Sequence, residues 1–177
     1  MDTSPRHLAQ FYGHDERPLI AGVARYLSEP VTGGGALLAV ISDDRRFALY
    51  RDLEENGVAP ALLIRTGRFR VLETRQTLAH LYEKGRLNYG RFDATVGNLV
   101  REMFAAARGR KLHAYGDMVA DLWERGERAQ AIELERFWNR LQAEIPFDLY
   151  CAYPLDACGG GVPDPAIAQT HTEIVPA

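Results

Sequence analysis

The sequence predicts an α/β fold in three layers, a mostly parallel central sheet with helices on both faces. Three features point to it. Short apolar runs alternate with stretches of helical periodicity. The clearest run, Ala36-Leu37-Leu38-Ala39-Val40-Ile41, is apolar on both faces, as a central parallel strand requires. No internal repeat or linker divides the 177 residues, so 1–177 reads as one domain with a core of its own.

Residues 1–14 carry no periodic pattern, though His7, Phe11, Tyr12 and His14 fall there. A helix then starts at Asp15, a good N-cap, with Pro18 tolerated in its first turn. Leu19, Ile20, Val23, Tyr26 and Leu27 share one face, and Pro30 follows the end. Gly33-Gly34-Gly35 reads as a flexible turn into the strand at 36–41. The next helix runs from about Asp44 to Asn56, with Gly57 suited to its C′ position. Leu62-Leu63-Ile64 and Phe69-Arg70-Val71-Leu72 read as two short strands around Thr66-Gly67-Arg68.

Thr74 is placed to cap a helix running to Lys84 and closed by Gly85. Asn88 is placed to cap the next, where Phe92, Val96, Leu99, Val100, Met103, Phe104 and Ala107 form the clearest apolar stripe in the chain. After Gly109, Leu112-His113-Ala114-Tyr115 reads as a strand ending at Gly116. Two helices follow, and the second places Leu134, Phe137, Trp138, Leu141 and Ile145 on one face before Pro146. Phe147 to Tyr153 is the last strand, stopped by Pro154. Residues 155–177 are rich in Gly, Pro and Ala, and read either as an ordered strap or as a mobile tail.

Composition excludes several classes. Apolar residues at 46% and charged residues at 25% are ordinary globular values. A formal charge of −3 offers neither a basic footprint for nucleic acid nor a polybasic membrane anchor. No stretch nears the roughly 18 apolar residues of a membrane helix, and the N-terminus lacks a signal-peptide core. The expected location is cytoplasmic. Cys151 and Cys158 are then expected as free thiols.

In an open α/β sheet, ligands gather at the carboxyl ends of the strands. Those ends read Ser42-Asp43-Asp44, Gly116-Asp117-Met118, and Tyr153 beyond Cys151. No nucleotide-phosphate loop is present. The triple glycine precedes its strand, neither Lys84 nor Lys111 fits, and no G-x-G-x-x-G follows a strand. A nucleophile elbow is missing too. Cys151 lies in an apolar run, where cysteine behaves as a small hydrophobe. His7, His14, His113, His171, Cys151 and Cys158 are metal-ligand types, but none shows zinc-site spacing, so no metal or cofactor is expected. Asp117 could hold a polar ligand group or cap the helix after it. Glu135 sits one step from an apolar stripe and could face inward, although a solvated helix carboxylate is the commoner state. Tyr115 and Tyr153 could wall an apolar pocket, or simply be core.

Five segments resemble one family. They are His7-Leu8-Ala9-Gln10-Phe11-Tyr12, Ala114-Tyr115-Gly116-Asp117-Met118-Val119, Leu134-Glu135-Arg136-Phe137-Trp138-Asn139, Leu149-Tyr150-Cys151-Ala152-Tyr153-Pro154, and the late His171. In order, they resemble the H-x-x-Q-F-Y, G-[ED]-M, L-E-x-L-W-N and L-x-C-A-Y-P segments and final histidine of the MEDS domain. That is the sensory domain of methanogens and methylotrophs, first noted in a dichloromethane-responsive repressor. The resemblance spans about 7–176. It implies a RecA/KaiC-like fold without its phosphate loop, and sensing of small organic molecules such as hydrocarbon derivatives. Two positions depart from the pattern. Asp117 stands where glutamate is common, and Ala168 where many members have a cysteine. The second departure speaks against a metal or redox role shared with His171.

The expected function is a stand-alone sensory domain. A small organic ligand would bind at the carboxyl edge near His7, Phe11, Tyr12, Tyr115, Gly116, Asp117, Met118, Glu135, Cys151, Tyr153 and His171. Asp117 and His7 would give polar contacts and the aromatics an apolar wall. The output would pass to a separate signalling protein, such as a histidine kinase or regulator, with a homo-oligomer also open. The rivals are an enzyme using Cys151, Asp117 and a histidine, a protein-interaction module derived from a RecA-like ATPase, and residual nucleotide binding.

Overall fold

The computed structural model describes residues 4–155 and 165–175. Cys158 lies outside them; Cys151 is a free, buried thiol. The elements are β1 (His7–Tyr12), α1 (Arg17–Ser28), β2 (Ala36–Ile41), α2 (Asp43–Glu55), α3 (Pro60–Arg65), β3 (Phe69–Glu73), α4 (Thr74–Leu81), β4 (Tyr82–Glu83), β5 (Arg86–Leu87), α5 (Tyr89–Phe92), a π-helical turn (Asp93–Gly97), α6 (Asn98–Ala107), β6 (Leu112–Gly116), α7 (Met118–Glu124), α8 (Arg128–Glu144), β7 (Asp148–Pro154), α9 (Pro165–Ala168) and β8 (Glu173–Val175). Six strands form one sheet in the order β3-β2-β6-β7-β1-β8. Every pair in it is parallel. The predicted α/β class with a parallel sheet between helices is therefore the observed one.

The two faces bury separate cores. Alternation along each strand sends Ala9, Phe11, Leu38, Val40, Ala114, Leu149, Cys151 and Tyr153 to one face, against α6, α7 and α8. Leu8, Tyr12, Leu37, Ala39, Ile41, Tyr115, Tyr150 and Ala152 go to the other, against α1 and α2. Trp123 and Trp138 are both fully buried in the first core.

Five expectations need correction. Residues 7–12 are a strand flanked on both sides, by β7 and β8. All six are buried, so no alternation marked them. Leu62 to Ile64 belong to helix α3, because Pro60 sits in its first turn with φ preset for a helix. Thr74 does not cap α4. Glu73 does, accepting from the Gln76 amide at 2.6 Å, and this frees the Thr74 hydroxyl for another partner. The helix then ends at Leu81, and a tight hairpin follows whose turn puts Lys84 and Gly85 at positive φ. The first helix begins at Arg17; Asp15 precedes it and accepts from the Arg17 amide at 3.1 Å.

Gly35 is more than a flexible turn. Its amide donates to Pro30 O at 2.8 Å. A Cβ there would lie 2.5 Å from the Lys111 carbonyl oxygen and 2.8 Å from Pro30 O. Both are backbone atoms that cannot rotate away. We expect Gly35→Ala to lower stability by about 1–2 kcal/mol through overpacking. Urea denaturation checks this, and an unchanged midpoint would show that the 30–35 turn relaxes freely.

Candidate functional site

Strands β2, β3 and β6 end side by side, and helices α2, α4 and α7 begin there. Their carboxyl ends frame a cavity of about 490 Å³. Ser42, Asp43, Asp44 and Arg45 line it from the β2–α2 junction, Glu73, Thr74 and Arg75 from the β3–α4 junction, and Asp117, Asp121 and Glu124 from the β6–α7 junction and α7, with Glu16 closing one side. Seven of these eleven residues are carboxylates and two are arginines. Helix N-termini carry partial positive charge, and here acidic side chains already answer it. The turn after β1, Gly13-His14-Asp15-Glu16, has one glycine, two carboxylates and no lysine. Neither place can cradle a phosphate.

Asp117 forms the floor, with 1% exposure. It occupies the N-cap position of α7, yet its carboxylate does not cap that helix. It accepts instead from the Ser42 amide at 3.1 Å, from Arg45 Nη1 at 3.3 Å, and from the Thr74 hydroxyl. One side chain thus ties the ends of three strands together. Burial raises its carboxyl above the usual range, and the Thr74, Ser42 and Arg45 contacts only partly offset this. Arg45 also donates to Glu16 at 2.6 and 2.8 Å and to the Tyr12 hydroxyl at 2.8 Å. Its guanidinium lies over the Tyr12 ring.

A second constellation lies under the same sheet, away from this cavity. His7 opens β1, Cys151 is in β7, Glu135 projects from α8, and His171 follows α9. Their side chains are 1%, 0%, 1% and 0% exposed. His7 Nε2 stands 3.1 Å from Glu135 Oε2 and 3.5 Å from Cys151 Sγ. His171 Nε2 stands 3.3 Å from Glu135 Oε1, and Cys151 Sγ 3.7 Å from Glu135 Oε2. The Tyr153 hydroxyl donates to Glu135 Oε1.

The tautomers follow from the outer partners. Asn139 donates its amide to Thr170 O at 2.9 Å, so its Oδ1 faces His7 Nδ1 at 2.8 Å as an acceptor. His7 Nδ1 must therefore carry a proton. His171 Nδ1 lies 2.7 Å from the Ile167 carbonyl, which also only accepts. Both histidines thus turn Nε2 inward. Burial lifts the Cys151 thiol well above its ordinary value, and Glu135 adds to this.

The residues expected at one edge therefore divide between places. Tyr12, Gly116 and Asp117 lie at the carboxyl edge. His7, Glu135, Cys151, Tyr153 and His171 meet beneath β1 and β7, on the sheet face covered by α8, with Phe11 stacked on Tyr153 at 5.6 Å. Tyr115 and Met118 are fully buried, on opposite faces. Contrary to the commoner state, Glu135 is buried. The expected aromatic wall is not at the cavity, whose lining holds no aromatic residue. Asp117 turns to Thr74, Ser42 and Arg45, so no relay of Cys151, histidine and Asp117 is assembled. Sequence reasoning missed Arg45, Thr74 and Asn139. Thr74 and Arg45 sit just past strand ends, which was the available signal.

Among the described residues, no helix is long and apolar enough to cross a membrane. No match was found among curated proteins. A solved structure of similar fold is an uncharacterized protein from Pyrococcus horikoshii in complex with an unknown peptide. Its identity is 12% and its TM-score 0.62, over 98% of this chain and 77% of that one. The family model of the methanogen/methylotroph, DcmR sensory domain, MEDS, matches residues 6–172. The chain belongs to the MEDS family of sensory domains.

Proposed function

We propose that this domain senses a small polar organic molecule in the cavity above Asp117 and signals its presence to a partner protein. The observation that carries this reading is the buried Asp117 carboxylate at the floor of an acidic cavity of about 490 Å³, a size suited to small ligands. Membership of a sensory family supports it. The lining favours a ligand with donor groups or positive charge, such as a short-chain alcohol or amine, over a bare hydrocarbon or an anion. A ligand hydrogen-bonded to Asp117 competes with Thr74 and Arg45. It would thereby shift the balance between two arrangements of α2, α4 and α7. A histidine kinase or regulator would read the difference.

A thermal-shift panel of short-chain alcohols, amines and carboxylates tests this. We expect saturable stabilisation by an alcohol or amine and none by carboxylates. Asp44 is an exposed rim residue. Asp44→Lys should weaken that binding about tenfold while the fold is kept. No binder in the panel, or equal binding by Asp44→Lys, would overturn the reading.

A further inference from the structure

We propose that His7, Glu135, Cys151 and His171 form a four-coordinate site for a divalent transition metal, with zinc the best fit, which fastens the 165–175 segment to the rest of the sheet and its core. This site is separate from the acidic cavity.

Geometry comes first. The four ligand atoms all lie within 4.8 Å of one another. A tetrahedral zinc ion bound at its usual N, O and S distances holds its ligands ~3.3–3.8 Å apart. With Glu135 Oε2 as the oxygen ligand, three separations are 3.1, 3.5 and 3.7 Å, and His171 Nε2 lies 3.3 Å from Oε1 of the same carboxylate.

Orientation is the second ground. Each histidine commits Nδ1 to an outer acceptor, Asn139 Oδ1 or Ile167 O. A metal-bound imidazole is normally held by this kind of contact. His171 Nε2 is fully buried and has no well-directed hydrogen bond, despite its 3.3 Å approach to Glu135. With the one proton of a neutral imidazole committed to Nδ1, each ring offers a metal a lone pair at Nε2. Both lone pairs, a carboxylate oxygen and a sulfur therefore converge on one volume. Lone pairs that face one another repel unless a cation or added protons lie between them.

Charge is the third. Binding would convert the thiol to thiolate and release its proton to solvent. Two anionic ligands, two neutral imidazoles and one divalent cation sum to zero. A neutral assembly is what a fully buried position requires. The donor set of two nitrogens, one sulfur and one oxygen suits zinc better than magnesium or calcium, which prefer oxygen.

Topology gives the consequence. Three ligands come from β1, α8 and β7, and the fourth from the turn between α9 and β8. Thr172 N donates to His7 O at 2.8 Å and β8 pairs with β1, so the segment already lies against the sheet. The metal would hold it there.

The test uses the untagged full chain. Zinc is measured by mass spectrometry of the native protein and by elemental analysis. The stripped protein is then titrated with cobalt(II). We expect one tightly held zinc per chain, removable by chelator. Cobalt should give the absorption of a tetrahedral, thiolate-bound ion. Cys151→Ser should lose the sulfur-to-cobalt charge-transfer band, and Asn139→Ala should weaken metal binding about 10–100-fold. Folded wild-type protein that neither retains zinc nor gives this cobalt spectrum would overturn the proposal. An unchanged charge-transfer band in Cys151→Ser would also overturn it. If Cys151→Ser does not fold, Asn139→Ala decides, and undiminished affinity in it rejects the site.

Discussion

Replacing Glu135 by Gln is expected to cost about 3 kcal/mol in chelator-treated protein. The reason is the company this carboxylate keeps. It is fully buried, and it faces His7, His171, Cys151 and Tyr153. Removing one partner of a buried charge network leaves the others desolvated and unpaired, at about 3–5 kcal/mol. Glutamine keeps the volume and can still accept from Tyr153. It cannot hold His171 as an imidazolium, and neutral His171 would then point a lone pair at the amide oxygen.

The pH dependence gives this prediction its signature. Burial pushes the Glu135 carboxyl up, but attraction from His171 and His7 outweighs it, and the group is held well below the usual carboxylate range. Burial pulls the His171 imidazole down, and Glu135 outweighs that, leaving it raised. The stability from Glu135 is present above its unfolded pKa of about 4.3 and is lost as pH falls toward the folded value. The stability from His171 is present below about 6.5 and is lost as pH rises through its folded value. The deficit of Glu135→Gln should therefore be greatest between about pH 4.3 and 6.5. Urea denaturation from pH 4 to 9 measures it. A deficit under about 1 kcal/mol, or one that does not vary with pH, would mean that this network is not held by charge.

The sequence made most of the scaffold legible because parallel strands and amphipathic helices leave different apolar periods. β2, β3, β6 and β7 could be placed, as could the stripe of α6. β1 could not, because His7 and Gln10 interrupt its apolar run. Both are buried with partners. Gln10 accepts from the Tyr150 hydroxyl at 2.5 Å, and His7 meets Asn139, Glu135 and Cys151. Polar residues satisfied across the fold look like loop residues when only local neighbours are read.

The site was legible in its parts and not in its assembly. Asp117 stood out because it follows a strand. His7, Glu135, Cys151 and His171 are separated by 128, 16 and 20 positions, so no local spacing could mark them as a metal-ligand set. They fall in four of the five segments that resemble the family, yet the resemblance alone did not say that these segments meet. Parallel pairing of β1 with β7 and β8 is what brings them together. The inward turn of Glu135 depended on one helical step, which amphipathic periodicity resolves poorly at the edge of a stripe.

Arg45→Met should cost about 3 kcal/mol at pH 7 and much less near pH 4. Arg45 is the one cation in contact with Asp117 among the described residues, and it is itself largely buried, with 13% exposure. Burial already raises the Asp117 carboxyl, and Arg45 is among the contacts that oppose the rise. Methionine preserves most of the apolar stem while removing that opposition, so the carboxyl should rise further. Between the unfolded pKa of about 3.9 and the new folded value, the native protein then holds a proton that the unfolded chain has released. Stability must fall as pH rises through that interval. Lost contacts to Glu16 and Tyr12 add a smaller penalty that varies less over the same range, since Glu16 is half-exposed and water replaces its partner. The check is the difference in urea midpoint between variant and wild type at pH 4.5, 6 and 7.5. A difference that widens with pH places Asp117 and Arg45 in one electrostatic unit at the cavity floor. A constant difference would mean that Arg45 serves mainly to hold Glu16 and Tyr12, and that Asp117 is kept ionised by Thr74 and the Ser42 amide alone.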